Sequence, residues 1–265
     1  MRYAIDRFTV AIMFLLLLAS LWPLILVLPV VFLIPYALVL LVLKNAALGA
    51  QHNHAHLKVF RSAELNFVYD TLLTQLTGYT TPEWELQHAR GHHQHYLTPR
   101  QDLTTPLTPA GEVMGIWAYA WKGTRLGFQE GLSIALQDWR AGKRKPLYRL
   151  AFHCGVQLLI TVALCYWNLP MALLFFVGSN ILNRYGLWWG TYWQHVKAPG
   201  EHVYAASNTT THLGLNTLTF NNGYHTAHHE KPGLHWSLLP ARTREIRDQI
   251  PARCLRNDIN FHLDE

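Results

Sequence analysis

Charge is scarce in this sequence. Only 14% of its 265 residues are Asp, Glu, Lys or Arg, against roughly a quarter in soluble domains, while 50% are hydrophobic. That excludes a uniformly water-solvated globule and makes a bilayer the solvent for part of the chain. Mean hydropathy is nonetheless only +0.06, because the apolar residues are gathered into blocks and the histidines and charges fill the stretches between. Cysteine is scarce too. Of Cys154, Cys165 and Cys254, the first two fall inside an apolar block, which excludes both a disulfide framework and a Cys-ligated zinc site. The catalytic part is expected to face a reducing compartment. Repeats and low-complexity tracts are also missing. The formal charge is +6 and the pI about 9.3, but in a membrane chain this excess follows from the retention of Lys and Arg on the inner side. No nucleic-acid partner is expected.

What the sequence has instead is length of apolar run. From Phe8 to Leu43 it is too long for the core of a secretion signal and reads as a permanent anchor. As one helix it would be about 54 Å long against a hydrocarbon core of about 30 Å. Pro23 and Pro29 break it, so two crossings are expected, at 8–25 and 28–48. A second block divides at Asn168 and Pro170 into crossings at 149–167 and 170–190. Neither turn carries Lys or Arg, so both face outward and both termini inward. Arg184, inside the fourth segment, is read as snorkelling to the inner surface. Between the hairpins, residues 112–141 mix Trp117, Trp121 and Trp139 with Lys122, Arg125 and Arg140, the pattern of a helix lying in the membrane interface. The fold class read from this is an all-α membrane protein. Its single domain over 1–265 has four transmembrane helices in two hairpins beneath a helical cap.

Eleven of the sixteen histidines crowd into three stretches: QHNHAH with His52, His54 and His56, HARGHHQH with His88, His92, His93 and His95, and HTAHHEKPGLH with His225, His228, His229 and His235. Residues three and four apart share a helix face. His52 with His56, His88 with His92, and His225 with His228 and His229 thus each aim imidazoles at one point. One such histidine is usually a satisfied surface or core residue; three clusters at ligand spacing, each beside the inner end of a hairpin, are metal-binding half-sites. Eight spaced imidazoles exceed what a catalytic zinc uses, about three, so two ions sharing the set is the economical solution. Imidazole alone does not name the metal.

The order HxxxH, HxxxHH, HxxHH, interleaved with two hairpins, resembles the membrane-bound fatty acid desaturase and hydroxylase superfamily, over nearly the whole chain. The segment NNGYHTAHH, Asn221 to His229, resembles the third box of that family. The resemblance implies a di-iron centre with ligands at His52, His56, His88, His92, His93, His225, His228 and His229, and O₂ as co-substrate. The stretch GTYWQHVKAPG resembles one that carries a further iron-binding histidine in some members, which makes His195 the expected ninth ligand; His212 is its rival. His54, extra to the first box, points off its face and is read as a surface or ligand-supporting residue. His95 and His235 lie just outside their boxes, where they orient ligands or act with a carboxylate such as Glu83, Glu85, Asp102 or Glu230. No His-Pro-Gly-Gly heme motif is present, so electrons are expected from a separate donor such as a ferredoxin, a rubredoxin or cytochrome b5.

The activity implied is removal of two hydrogens from a fatty acyl or lipid chain. A hydroxylase, epoxidase or acetylenase of the same superfamily is the alternative. A histidine-rich metal transporter is a remote one, because only His153 lies inside an apolar segment. Substrate is expected to enter from the bilayer through a tunnel whose candidate walls are Gly155, Gly178 and Trp188. The donor is expected to dock on Lys143, Arg144, Lys145 and the arginines of the tail. The implied location is a bacterial inner membrane, with the site on its cytoplasmic side.

Overall fold

A computed structural model describes residues 1–26, 28–95, 98 and 101–257. Helix α1 (Asp6–Ile25) ends where the backbone turns extended at Leu26, and α2 (Val30–His56) starts immediately after Pro29, which cannot donate a helical hydrogen bond. Tyr36 of α2 donates its hydroxyl to the Ala19 carbonyl of α1 across 2.7 Å, closing the first hairpin. At 27 residues α2 is about 40 Å long, longer than the hydrocarbon needs. Its two ends live in different surroundings: Val30, Val31 and Phe32 are largely exposed, whereas every residue from Ala46 to His52 is buried. An apolar helix thereby carries its last turns, and His52 and His56 with them, out of the lipid-facing zone into the protein.

Helix α3 (Ala63–Thr77) is capped by Ser62, whose hydroxyl accepts from the Leu65 amide, and stopped by Gly78 at φ +78°. A side chain there would be strained and would also collide with Asn180 at 2.7 Å. Helix α4 covers residues 81–95. It starts on the Thr80 cap with Pro82 in its first turn, runs as regular α over Thr81–Trp84, as π over Glu85–His92, and closes with the turn His93–His95. Helix α5 (Ile116–Arg140) lies within the expected 112–141. It turns a stripe of Gly123, Gly127, Gly131 and Ala135 inward, and Trp117 and Trp121 outward. The stripe fits its neighbours closely, since a Cβ on Gly123 would stand 1.9 Å from Trp188 and one on Gly131 3.5 Å from the α4 backbone.

The second pair is α6 (Lys145–Trp167) and α7, residues 169–195, which is α over Leu169–Ala172, π over Leu173–Gly178 and α again over Ser179–His195. Beyond α7 the chain forms β1 (Thr209–Thr210), α8 (Leu213–Leu218), α9 (His225–Glu230), α10 (Leu239–Ile246) and β2 (Leu255–Arg256), the two strands pairing in parallel. The molecule is mostly helical. Among the described residues three helices, α1, α2 and α6, are long and apolar enough to cross a membrane. α7, the expected fourth, is interrupted by its π segment and carries Asn180, Asn183 and Arg184.

Two cations inside the apolar segments, Lys44 and Arg184, are engaged by protein groups. Arg184 does not snorkel. It pairs with Glu83 and lies over the Tyr79 ring at 3.9 Å, because a carboxylate buried in the first turn of α4 requires a countercharge. Lys44, not singled out by the sequence reading, is 1% exposed. Its ammonium donates to the Phe175 carbonyl in the π segment of α7 and to the Ser179 hydroxyl.

Candidate metal centre

The three boxes and the end of α7 meet in one place. Nine imidazoles fall into two groups: His52, His56, His88, His93 and His228 in one, and His92, His195, His225 and His229 in the other, the nitrogen atoms of each group lying within 4.8 Å of one another. These are the nine residues named from the sequence, divided five and four. Without His195 the second group would keep three members and the first five.

Local winding explains how neighbours in the chain serve different groups. In a π segment residues five apart are bonded, and the His93 amide donates to the His88 carbonyl. That winding brings His93 back over His88, with their Nε2 atoms 3.1 Å apart, while His92 turns to the other group. On an α-helix His92, four residues on, would share the face of His88 as the spacing suggested; the π winding puts His93 there instead. The HxxxHH spacing and the π segment are one feature, and π turns recur at functional sites. In the third box, α9 directs His228 to the first group and His225 and His229 to the second. The turn that leads into α9 is held against α2 by close backbone approach: a Cβ on Gly49 would meet the Thr219 carbonyl at 2.5 Å, and Asn53 donates to the Phe220 carbonyl at 3.0 Å. Phe220 and Asn221 take left-handed backbone to make the turn.

The second group has its tautomers set from outside. His92 Nδ1 stands 2.9 Å from an Asp102 oxygen and 2.6 Å from the Thr104 hydroxyl, and His195 Nδ1 stands 3.2 Å from the Ala206 carbonyl. Nδ1 donating to those acceptors leaves both Nε2 atoms as bare lone pairs. The Nε2 atoms form a row: His92 to His229 at 3.1 Å, His229 to His225 at 3.2 Å, His225 to His195 at 3.2 Å. With bare nitrogens at both ends, hydrogen-bonding the end contacts would need protons on both His229 and His225, which then face each other proton to proton. With both ends bare, no arrangement of protons satisfies the three contacts. A cation among the four lone pairs does, and two nitrogens about 2.1 Å from one ion stand about 3 to 4 Å apart. The first group repeats the pattern, with Nε2 contacts of 2.8 Å (His52–His88) and 3.0 Å (His93–His228). An all-imidazole donor set of this kind suits zinc, copper, iron or nickel.

Burial favours the neutral, metal-binding form. His88, His93, His225, His228 and His229 are pushed well below the ordinary histidine range, first by burial and then by one another's charge. His195 is pushed down to about 3 by burial, with His92 adding to it. Burial works to raise the Asp102 carboxyl, but the His92 imidazole and hydrogen bonds from Thr104 outweigh it and hold the group below the usual carboxylate range.

The other histidines stand apart. His54 is not at the surface: it is fully buried on the opposite face of α2, where its Nδ1 accepts from the Val59 amide at 3.1 Å and its Nε2 lies 3.0 Å from Asp70. His212 caps α8 by accepting from the Leu215 amide. His235 contacts Asp6, not a member of either group. His95 is half-buried and outside both groups. Of the four carboxylates considered, Asp102 alone contacts one of the nine; Glu83 pairs with Arg184, Glu85 with Lys58 and Arg149, and Glu230 with Arg242. Thr104 and the Ala206 carbonyl escaped the sequence reading. Neither carries a spacing signal, and a backbone carbonyl leaves no trace in side-chain chemistry.

A cavity opens beside both groups, lined by His52 and His88 of the first, His195 and His225 of the second, and the rings of Trp84 and Trp188. Trp188, seated against Gly123 and Gly127, donates its indole N–H to the Tyr79 hydroxyl at 3.1 Å. Of the three candidate tunnel walls only Trp188 borders this space; a Cβ on Gly155 would meet open space, and one on Gly178 would meet the Leu173 carbonyl.

Helices long and apolar enough to cross a membrane thus carry a buried, doubled cage of imidazoles that could hold metal. The chain belongs to the fatty acid desaturase family, whose description, "Fatty acid desaturase", matches residues 28–258. That family consists of oxidoreductases. No curated protein matches the chain.

Proposed function

We propose that the protein is an O₂-dependent di-iron oxidoreductase that introduces a carbon–carbon double bond into a fatty acyl or lipid chain. The observation that carries this reading is the pair of adjacent imidazole groups, five and four, opening on one shared cavity. His52, His56, His88, His93 and His228 hold one iron and His92, His195, His225 and His229 the other. Two irons so held supply an oxidant strong enough for an unactivated C–H bond when O₂ and two electrons arrive. The chain's own residues do the positioning. Asp102, Thr104 and the Ala206 carbonyl fix the rings of His92 and His195, and Trp84 and Trp188 confine the substrate chain beside both groups.

α7 serves as a fourth crossing over about 170–190, its π segment closed by Lys44, and α5 lies in the interface with Trp117 and Trp121 toward the headgroups. The site faces the cytoplasm of a bacterial inner membrane. A separate ferredoxin, rubredoxin or cytochrome b5 docks on Lys143, Arg144 and Lys145, which are exposed. Arg242 is already engaged by Glu230 and Glu245 and contributes less.

The test is iron analysis joined to product analysis under ¹⁸O₂. About two irons per chain and an unlabelled double bond support the reading. Label retained in the lipid makes the enzyme a hydroxylase or epoxidase instead, and tightly bound zinc without turnover overturns it.

A further inference from the structure

The first group has a second side. The cavity described above touches His52 and His88; a separate small cavity touches His56 and His228 and is lined on its far wall by Asp6, Thr9, His235 and Trp236. Asp6, at the start of α1, is 2% exposed. One of its oxygens receives His235 Nε2 and Trp236 Nε1, each at 3.0 Å. His235 Nδ1 accepts from the Ser237 amide at 3.3 Å and contacts the hydroxyl of half-buried Ser237 at 2.8 Å, so it carries the bare lone pair and Nε2 the proton facing Asp6. The Tyr3 ring stacks on the imidazole at 3.8 Å. Thr9 turns a buried hydroxyl that has no hydrogen-bond partner. A polar hollow holding an unpartnered hydroxyl and a carboxylate is a place for water. From the half-exposed Ser237 inward, the groups run hydroxyl, imidazole, carboxylate, hollow, ligand edge.

We infer that Asp6 and His235 are a proton-relay pair, passing protons from the surface through water in this hollow to the group that holds His56 and His228. The inference rests on the proposed O₂-consuming function. Desaturation removes two hydrogens from the substrate and reduces O₂ to two waters. The substrate furnishes two electrons and two protons, the donor protein two further electrons, and solvent the remaining two protons. Lipid occupies one side of the first group, so those protons are best brought from the other side. The imidazole of His235 can take a proton at Nδ1 from Ser237 or solvent while releasing one at Nε2 to Asp6, and the carboxyl passes it to water. Both residues act through water and hold no metal, so they are positioning and relay groups.

The full-length iron-loaded chain in membranes, driven by a chemical reductant, tests this by oxygen consumption, hydrogen peroxide release and lipid product in H₂O and D₂O. Asp6→Asn and His235→Gln keep iron but slow oxygen consumption by about tenfold or more, in the range of general acid–base effects. They also raise the share of oxygen released as peroxide and enlarge the solvent deuterium effect. Asp6→Glu restores part of the rate. Thr9→Val, which removes no hydrogen bond, slows oxygen reduction by drying the hollow. Wild-type oxygen kinetics and peroxide share in Asp6→Asn overturn the relay. If that variant fails to hold iron, wild-type kinetics in Thr9→Val overturn it. Oxygen reduced to water with no lipid converted overturns the substrate reading and leaves the relay standing.

Discussion

Single residues in the two groups are unequal, and their inequality is testable. His195 closes a group of four whose other contacts cannot be satisfied by protons, so His195→Ala should leave that group three ligands and release roughly half of the iron, with loss of turnover. His212 differs. As a helix cap its replacement by alanine costs about 1 kcal/mol and should leave iron untouched, as should His202→Ala, since His202 is exposed and outside both groups. Iron content and activity of the three variants side by side decide it; full iron in His195→Ala contradicts the assignment. Asp102→Asn keeps shape but weakens the hold on His92. Removing such a partner costs about 10- to 100-fold in metal affinity or activity, measurable as faster iron loss to a chelator. Equal loss from wild type and variant would mean the carboxylate contributes nothing.

At the level of elements, much could be read beforehand from the spacing of the boxes and the prolines. The break between α1 and α2 falls just before Pro29, while Pro23 lies inside α1. Box spacing grouped seven of the histidines that converge, and the family resemblance added His93 and His195. What the spacing did not disclose follows from winding and burial. A helical wheel assumes α geometry, so it paired His88 with His92 and could not foresee that a π segment would pair His88 with His93 instead. Nor could it foresee that Arg184 would turn inward, because its partner Glu83 is 101 positions earlier. The same pair yields a prediction about how α4 and α7 are joined. Glu83 is buried and Arg184 partly so. Arg184→Met strands the carboxylate and should cost about 3 to 5 kcal/mol, whereas Arg184→Met with Glu83→Gln should recover most of it. Thermal unfolding of detergent-solubilised protein reads the difference, and a double variant no more stable than the single one would refute the pairing as the join.

For the molecule as a whole, the cage sets how stability responds to acid. His88, His93, His195, His225, His228 and His229 all bind protons less readily folded than unfolded. Below the unfolded value, about 6.5, the unfolded chain takes up more protons than the folded one, so stability falls as pH falls. The contribution is fully present above about 6.5 and is lost progressively toward the folded values, which for His195 means about 3. Each imidazole contributes on the order of 1 kcal/mol by one pH unit below 6.5, so several acting together rival the whole stability of a domain, about 5 to 15 kcal/mol. A bound ion opposes this, because it binds the folded cage and competes with protons for the same nitrogens. Iron-free protein should therefore lose hydrogen-exchange protection across 88–93 and 225–229 between about pH 6.5 and 5, while the apolar hairpins stay inserted and the iron-loaded protein resists to lower pH. Protection in the iron-free protein that is the same at pH 7.5 and 5 would mean that the imidazoles are neither buried nor coupled as the two groups require.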